Sequence, residues 1–407
     1  MSHKLASIGL ALALMLAPSL LSAKDSTMTD PIVTAQSAAG FEQWKAGFRA
    51  KALANGISGN TFDRAFQGVR YNPDVIAKDR RQAEFTKQIW EYLDTAVSST
   101  RIENGQDKAR EFKQVLAGIE ARYGVDKRVV LAIWGMESAY GGFTGDFNVI
   151  ESFATLAYDG RRRGFAEEQL IAALKIVQSG DKDPARMLGS WAGAMGHTQF
   201  IPTSFLAYAV DFTGDGTRDI WFPPDALAST ANYLLESGWV IGSPWGVEVH
   251  LPQGFDWSQA DPDNRQPVSV WRNLGVTTAS GERLPDYGSA GLFAPAGGRG
   301  PVFAVFQNFR VIKRYNNANS YALAVGHLGD RIYGGPGLST GWPRDDRALS
   351  KAEKVELQQL LTAAGFSTGG ADGKIGPKTL SAVRNFQRRT GLVPDGYVSL
   401  DLLRRLR

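Results

Sequence analysis

Apolar positions recur at the spacing of an α-helix along much of the chain, which predicts a mainly α-helical protein. The pattern is clearest between residues 41 and 121, and it returns at 183–196 and 225–239. Glycines interrupt it where helices are expected to end, at Gly56, Gly105 and Gly124. We therefore expect a helical N-terminal part over residues 41–112.

Two later segments break the helical pattern. Residues 241–312 are rich in glycine and proline and contain short β-like runs such as VFAVF at 302–306, which predicts an irregular insertion with a few strands. The Gly/Pro-rich stretch 334–349 is typical of a linker between domains. Beyond it, residues 350–407 predict a small module of three short helices, one of which begins at Pro377.

The start of the chain has the features of an exported protein. Residues 1–23 combine a basic end, an apolar stretch and small residues, which predicts a secretory signal peptide cleaved after Ala23. Residues 24–40 are small and polar and predict a flexible leader. Later residues contain no apolar stretch long enough for a membrane helix. Because the chain has no cysteine, we exclude disulfides, thiol nucleophiles and a lipid anchor, and we expect a soluble protein of the periplasm.

Charge changes this picture only for the tail. Residues 349–407 hold ten Lys or Arg and five Asp or Glu, whereas residues 24–348 hold 34 basic and 36 acidic side chains. A basic module favours a polyanion, and after export the available one is the cell wall and not nucleic acid. An ordinary solvent-exposed surface could have the same excess of basic side chains, so charge alone does not identify the ligand of the tail.

One carboxyl group lies on an apolar helical face, in the run VVLAIWGMESAYGG at residues 129–142. Glu137 follows Ile133 by four residues, so the two share a face of the predicted helix. Because burial of a charged group costs several kcal/mol, we expect a raised pKa for Glu137 and a protonated group near neutral pH. Such a group suits the general acid of glycosidic-bond cleavage. A Glu137 that reaches solvent or pairs with an arginine is the structural alternative.

Three further stretches accompany this motif: GSWAGAMGHTQFIPTSF at 189–205, DFTGDGTRDIWFPPDALASTANYL at 211–234 and RYNNANSYALAV at 314–325. Together with ESAYGG, and in this order, they resemble the lytic transglycosylases of the membrane-bound lytic transglycosylase B family, which cleave peptidoglycan. The resemblance covers about residues 40–333. It implies a catalytic region over 41–333 with a lysozyme-like core at 113–333, and thus a mainly α (α+β) fold.

The resemblance also implies a mechanism with one catalytic carboxyl group, Glu137, and no cofactor. Glu137 would protonate the oxygen between N-acetylmuramic acid and N-acetylglucosamine, while the 2-acetamido carbonyl stabilises C1. It would then accept the C6 hydroxyl proton as that oxygen closes on C1, giving a 1,6-anhydro end. A muramidase that uses water and a non-catalytic wall-binding protein are the alternatives. A second catalytic carboxyl group would come from Asp146, Glu151, Asp159 or Glu167.

Further substrate contacts are implied by the resemblance alone. Ser190 and Gln199 match polar positions of the family's cleft, and Arg162 and Arg163 match an arginine pair suited to a lactyl or peptide carboxylate. Tyrosine suits sugars, because its ring packs on the pyranose while its hydroxyl group forms hydrogen bonds. The matching tyrosines are Tyr92, Tyr233, Tyr315 and Tyr321. For each of these residues a structural role is an equal alternative.

The run DFTGDGTRDIWFPPD, residues 211–225, resembles the opening of a calcium-binding loop. Position 12 of such a loop is expected to be a bidentate Glu, and here it is Phe222, which favours an ordinary turn. The family resemblance implies that Asp225 closes the loop instead. We expect a structural Ca²⁺ or Na⁺ site without a chemical role. The expected ligands are Asp211, Thr213, Asp215, Thr217 and Asp225.

The tail sequence ADGKIGPKTLSAVRNFQRRTGLVPDG resembles a three-helix peptidoglycan-binding domain over nearly all of 350–407. Its signature residues are expected to set turns and core packing; they are Asp372, Gly373, Gly376, Thr379, Phe386 and Gln387. A wall-binding tail would hold the enzyme at its substrate and raise the local substrate concentration. The expected partner is peptidoglycan, through its glycan strands. Cell-wall synthesis proteins are candidate partners, and a monomer is expected.

Overall fold

The computed structural model describes residues 31–81 and 87–407, so the predicted signal peptide at 1–23 lies outside the described residues. Helices dominate the described part, which confirms the mainly α-helical fold. In chain order the helices are α1 (Pro31–Ala54), α2 (Gly59–Ala65), α3 (Pro73–Arg80), α4 (Ile89–Ala96), α5 (Ser99–Glu111), α6 (Lys113–Tyr123), α7 (Lys127–Ser138), α8 (Val149–Asp159), α9 (Arg163–Ser179), α10 (Pro202–Tyr208), α11 (Pro223–Glu236), α12 (Val268–Asn273), α13 (Gln307–Tyr315), α14 (Asn319–Ile332), α15 (Lys351–Ala363), α16 (Pro377–Arg389) and α17 (Leu400–Leu406). The strands are β1 (Phe147–Asn148), β2 (Leu188–Gly189), β3 (Gly246–His250), β4 (Gln266–Pro267), β5 (Thr277–Thr278), β6 (Ser289–Phe293) and β7 (Val302–Val305).

The chain forms two compact units, each of which is discontinuous in sequence. Of the described residues, the first unit holds 31–81 and 104–236, and the second unit holds 87–103 and 237–407. The predicted lysozyme-like core at residues 113–333 stays a prediction. Strand pairing joins distant parts of the second unit that the helical pattern could not connect.

Helix α7 lies in the core of the first unit. Every residue from Val129 to Gly135 is buried, so the helix is covered on all sides and not on one stripe. Asp126 caps its N-terminus by accepting a hydrogen bond from the backbone N–H of Arg128 at 2.8 Å. The helix ends at Ser138, and the short antiparallel pair β1–β2 follows in the same unit.

The second unit is built on one five-stranded sheet in the order β4-β6-β7-β3-β5, and all neighbouring strands are antiparallel. The predicted strand at 302–306 is present as β7. Its core contains Trp271, which is fully buried and donates its indole N–H to the carbonyl of Ala290 at 2.8 Å. The segment expected to be an irregular insertion is therefore an ordered sheet with its own core.

The predicted linker, residues 334–349, is tied to this unit at several points. The carboxylate of Glu248 accepts the backbone N–H groups of Ser339 and Thr340 at 2.7 and 2.8 Å. Arg344 makes two hydrogen bonds of 2.8 Å with the carboxylate of Asp94. These contacts fix the path of the segment and bring the tail into the second unit.

Two local predictions differ from the structure. Gly105 was expected to end a helix, but it is buried inside α5, because tertiary packing outweighs the local preference of glycine. The leader was expected to be flexible over 24–40; residues 24–30 lie outside the described part of the chain, and residues 31–40 belong to α1, which begins at Pro31. Proline is favoured in the first turn of a helix, and the alanines that follow it are strong helix formers.

The tail contains the three helices that its sequence predicts, and its signature residues do pack and set turns. Gln358 of α15 is buried, and its side-chain amide nitrogen donates to Thr379 Oγ1 at 3.2 Å. The side-chain oxygen of Gln358 accepts the backbone N–H of Gly373 at 2.8 Å. Gln387 of α16 donates to the Asp395 carboxylate at 2.7 Å. The side-chain amides of these two glutamines join the helices to the loops through hydrogen bonds. An apolar side chain could not form them.

Candidate active site

Glu137 is the next-to-last residue of α7 and is half-buried. The residues one turn before it, Ile133 and Trp134, are buried at 0% and 1% exposure. The carboxyl group therefore stands where the buried helix meets the surface. The C-terminal end of a helix carries partial negative charge, and this favours the neutral form of an acid.

The turn that follows Glu137 has an unusual backbone. Ala139 and Tyr140 have φ angles of 49° and 59°, in the left-handed region that non-glycine residues rarely adopt. Gln199, with φ of 53°, is the other non-glycine residue of the described part in this region. Each such residue costs about 1–3 kcal/mol, and strain of this kind collects at functional sites.

The turn is also closely packed. A Cβ atom at Gly135 would lie 2.6 Å from the ring of Tyr140, so only glycine lets this ring fold back over α7. A Cβ atom at Gly141 would lie 2.4 Å from the ring of His197. The two glycines thus allow the ring of Tyr140 and the ring of His197 to approach the helix end.

Ser138 and His197 fix the end of α7. The Ser138 hydroxyl donates to the carbonyl oxygen of His197 at 2.7 Å and accepts the N–H of Gly141 at 3.0 Å. The Trp134 indole N–H donates to Nδ1 of His197 at 3.1 Å, so the ring proton lies on Nε2, which contacts the carbonyl of Trp221 at 3.0 Å. Burial lowers the pKa of His197 and favours this neutral ring.

Ser190 and Gln199, both predicted at the cleft, lie in the segment that packs on this turn. The side-chain amide of Gln199 donates to the carbonyl groups of Thr144 and Gly196 at 3.2 and 2.9 Å, which joins the loop after Glu137 to its neighbour. Ser190 is buried, and its hydroxyl accepts the N–H of Ala194 at 3.1 Å. Both residues have structural contacts in addition to any contact with substrate.

The arginine pair and Tyr233 also lie in the first unit. Arg162 lies 3.7 Å from the buried carboxylate of Asp79, and Arg163 donates to the carbonyl of Ala157 at 3.3 Å. Tyr233 of α11 is half-buried, and its ring meets that of Tyr208 at a centroid distance of 4.7 Å. The arginines are therefore held within the protein fold.

Most other carboxyl groups near the motif are engaged. Glu151 accepts from the side chain of Asn72 at 2.9 Å, Asp159 pairs with Arg80 at 2.8 Å, and Glu167 pairs with Lys51 at 2.6 Å. Each of these contacts fixes the carboxyl group within the fold. Asp146 has no such contact among those described.

The remaining predicted tyrosines belong to the second unit. Tyr92 lies in α4 and is half-buried, Tyr315 is the last residue of α13, and Tyr321 lies in the first turn of α14 and is buried at 4% exposure. Helices α4 and α14 contact each other, and α13 contacts α14. The structure thus gathers these three residues on neighbouring helices.

The acidic loop at 211–225 is organised by backbone amides. Asp211 accepts the N–H groups of Gly214 and Gly216 at 2.6 and 2.8 Å. Asp225 is fully buried, and its two oxygens accept three backbone N–H groups, including that of Asp219 at 3.0 Å. Burial raises the pKa of Asp225.

No group of three acidic or imidazole side chains arranged for a metal is present among residues 31–81 and 87–407. The loop acids accept backbone amides, but an ionised carboxylate has about four acceptor positions, so these hydrogen bonds leave oxygens that fit a cation. No step of the chemistry below involves a metal.

Three residues of the site were not singled out from the sequence: Trp134, Ser138 and His197. Trp134 and Ser138 are four residues apart on α7, and His197 lies inside the motif GAMGHTQF. Helical spacing could have paired the first two. Their hydrogen bonds to His197 depend on a contact between segments about 60 residues apart, which the pattern does not reveal.

Comparisons with known proteins identify two matching families. A family model described as "Transglycosylase SLT domain" matches residues 40–330, and one described as "Putative peptidoglycan binding domain" matches residues 350–406. Membrane-bound lytic murein transglycosylase B of Escherichia coli (strain K12) is 31% identical over 248 residues, which are 59% of this chain and 66% of that protein.

Two solved structures are also similar. SltB3 from Pseudomonas aeruginosa, in complex with NAG-anhNAM-pentapeptide, is 52% identical and has a TM-score of 0.83, over 90% of this chain and 99% of that one. The Escherichia coli lytic transglycosylase Slt35 in complex with calcium is 26% identical with a TM-score of 0.62, over 73% of this chain and 93% of that one. The chain therefore belongs to the lytic transglycosylase family, with a transglycosylase SLT domain followed by a C-terminal peptidoglycan-binding domain.

Proposed function

We propose that this protein cleaves the β-1,4 bond between N-acetylmuramic acid and N-acetylglucosamine in peptidoglycan and forms 1,6-anhydro-N-acetylmuramic acid ends. The observation that carries the proposal is the position of Glu137. It ends a buried helix, and the strained turn after it is fixed by Ser138 and His197. A carboxyl group held in this way keeps its geometry while it donates a proton.

Glu137 acts first as the general acid. In this proposal Glu137 is protonated before cleavage and donates its proton to the glycosidic oxygen. The 2-acetamido carbonyl of the muramoyl sugar stabilises C1 as the bond breaks. Glu137, now a carboxylate, accepts the proton of the C6 hydroxyl, and the C6 oxygen bonds to C1. No water enters the product.

The engaged state of three of the four neighbouring acids supports a single catalytic carboxyl group, and Asp146 is the one without such a contact. Glu151, Asp159 and Glu167 have protein partners in the described residues, whereas a hydrolase of the lysozyme type needs a second carboxylate beside the reacting carbon. We assign substrate contact to Ser190, Gln199 and Tyr233 in the first unit. Tyr92, Tyr315 and Tyr321 are also assigned substrate contact, and Arg162 and Arg163 are proposed to bind a carboxylate.

We propose that the protein acts in the periplasm, after removal of residues 1–23, and that the tail binds peptidoglycan. Among the helices of residues 31–81 and 87–407, none is long and apolar enough to span a membrane. A cation in the loop at 211–225 is assigned a structural role alone. Its ligands would be Asp211, Thr213, Asp215, Thr217 and Asp225.

Substitution of Glu137 tests the mechanism. Glu137→Gln keeps the shape but cannot donate the proton, so we expect loss of at least 100-fold in product formation from purified sacculi, the usual scale for a general acid. Mass spectrometry of the products distinguishes 1,6-anhydro ends from the reducing ends that a muramidase would release. The matched control is Glu236→Gln, since Glu236 also ends a helix but is exposed. Reducing ends from the unmodified protein, or full activity in Glu137→Gln, would contradict the proposal.

A further inference from the structure

A cavity of about 400 Å³ opens within the second unit, between the tail module and the sheet region. Ala260, Ala294 and Gly297 line it from the sheet region. Leu380, Arg384 and Tyr397 line it from the tail. Its volume falls in the range of small-ligand sites, about 300–1,000 Å³.

The contact that borders this cavity is closely fitted. The backbone N–H of Gly298 donates to the Asp395 carboxylate at 2.8 Å. A Cβ atom at Gly297, whose φ is +59°, would lie 2.3 Å from the same carboxylate, so glycine is required for the approach. The other Asp395 oxygen accepts from Gln387 at 2.7 Å and from the N–H of Tyr397 at 2.8 Å. These hydrogen bonds fix the tail against the sheet region at the edge of the cavity.

The charge of the lining is mainly positive. Lys87, Lys354 and Arg384 line the cavity, and the acid in the lining, Asp395, is already satisfied by the three hydrogen bonds above. In the part of the chain that the structure describes, neither Lys354 nor Arg384 is paired with a carboxylate. The Nε atom of Arg384 is buried and has no hydrogen-bond partner there. A buried donor without an acceptor is unfavourable, so the guanidinium group of Arg384 is not fully satisfied by the protein itself.

The chemistry of peptidoglycan selects the ligand, and this step rests on the proposed function. The glycan strand offers no free anion, because the lactyl carboxyl group of each substituted muramoyl sugar is consumed in the amide bond to the peptide. The stem peptide carries free carboxylates and short aliphatic side chains, which match cations beside Leu380 and Ala260. We propose that this cavity binds a carboxylate of a peptidoglycan stem peptide through Arg384 and Lys354. The tail would then recognise the peptide and not the sugar.

Binding of a free stem peptide to the full chain tests this proposal. The probe is L-Ala-γ-D-Glu-meso-diaminopimelate, titrated by calorimetry at low salt. We expect saturable binding that the double substitution Arg384→Gln with Lys354→Gln weakens by about tenfold or more, a change of about 1.4 kcal/mol. Ala260→Phe fills the cavity without changing its charge and should weaken binding as much. When the carboxyl groups of the peptide are amidated, the unmodified protein should bind it no more tightly than the variants bind the free acid.

The controls are Arg404→Gln and Lys378→Gln, which remove the same charges from exposed positions of the tail outside the cavity. They should leave the affinity within about twofold. Absence of saturable binding at millimolar peptide, equal affinity in the double variant, or an equal loss in the controls would overturn the proposal. Formation of anhydro ends from peptide-free glycan is measured in parallel on all variants. If that product is absent while the peptide binds, the proposed function fails and the peptide site stands.

Discussion

The indole N–H of Trp134 donates a hydrogen bond to Nδ1 of His197 at 3.1 Å, from within the helix that carries Glu137. This contact requires a neutral imidazole ring with its proton on Nε2. Protonation at Nδ1 would remove the acceptor and place a charge in a partly buried site. The neutral histidine therefore helps to hold the end of α7, and the geometry around Glu137 depends on it.

The first prediction concerns acid stability. Burial lowers the pKa of His197 below its ordinary value of about 6.5, so the folded state favours the neutral ring. The stability that the neutral His197 ring contributes is complete above about pH 6.5, and it is lost as the pH falls through the pKa of His197 in the folded state. Nearby charges modify this in opposite directions, since Asp219 raises the pKa and Lys108 lowers it. We expect His197→Gln, which keeps one acceptor and one donor, to flatten the fall in unfolding free energy below about pH 6.5.

Urea unfolding at several pH values measures this effect. His327, whose pKa burial lowers to about 4, contributes a similar slope and is present in both proteins, so the difference between them isolates His197. His250→Gln is the control, because His250 is exposed. An unchanged slope in His197→Gln would show that the ring does not sense pH.

The second prediction concerns the strained turn. Ala139 has a φ of 49°, which glycine adopts without cost, so Ala139→Gly should raise the unfolding free energy by about 0.5–1 kcal/mol. Ala121→Gly, at an exposed position inside α6, should lower it by about 1 kcal/mol. Chemical denaturation compares the two. A loss of stability in Ala139→Gly would mean that the turn is not strained at this residue.

The third prediction concerns the tail. Arg347 and the N–H of Ser350 hold the pKa of Glu353 at about 2, well below its usual value. The stability that this gives is present above about pH 4.5 and is lost as pH falls toward 2. Because the pair lies near the surface, we expect Glu353→Gln to lower the free energy of unfolding by only about 1 kcal/mol at pH 7. The same substitution should reduce the fall in unfolding free energy at acid pH. A double-mutant cycle with Arg347→Gln measures the coupling, and additive effects would contradict it.

The fourth prediction concerns the loop at 211–225. Because Asp211 and Asp225 are satisfied by backbone amides, removal of calcium with EDTA should leave the rate of anhydro-product formation unchanged. Added Ca²⁺ should raise the melting temperature only slightly, as expected for weak binding to the folded state. Asp211→Asn serves as the ligand-deficient control. A large loss of activity in EDTA that Ca²⁺ restores would contradict the purely structural role.

The sequence by itself determined the helical class, the three helices of the tail and the placement of Glu137 in a helix, because these follow from the spacing of neighbouring residues. It also carried the motifs that identify the family. The tertiary structure alone decided that Gly105 lies inside a helix, that residues 246–305 form one sheet and that the tail joins the same unit as that sheet. It also placed His197 against Trp134 and opened the cavity beside Arg384. These features depend on contacts between segments far apart in the chain, and local spacing does not specify such contacts.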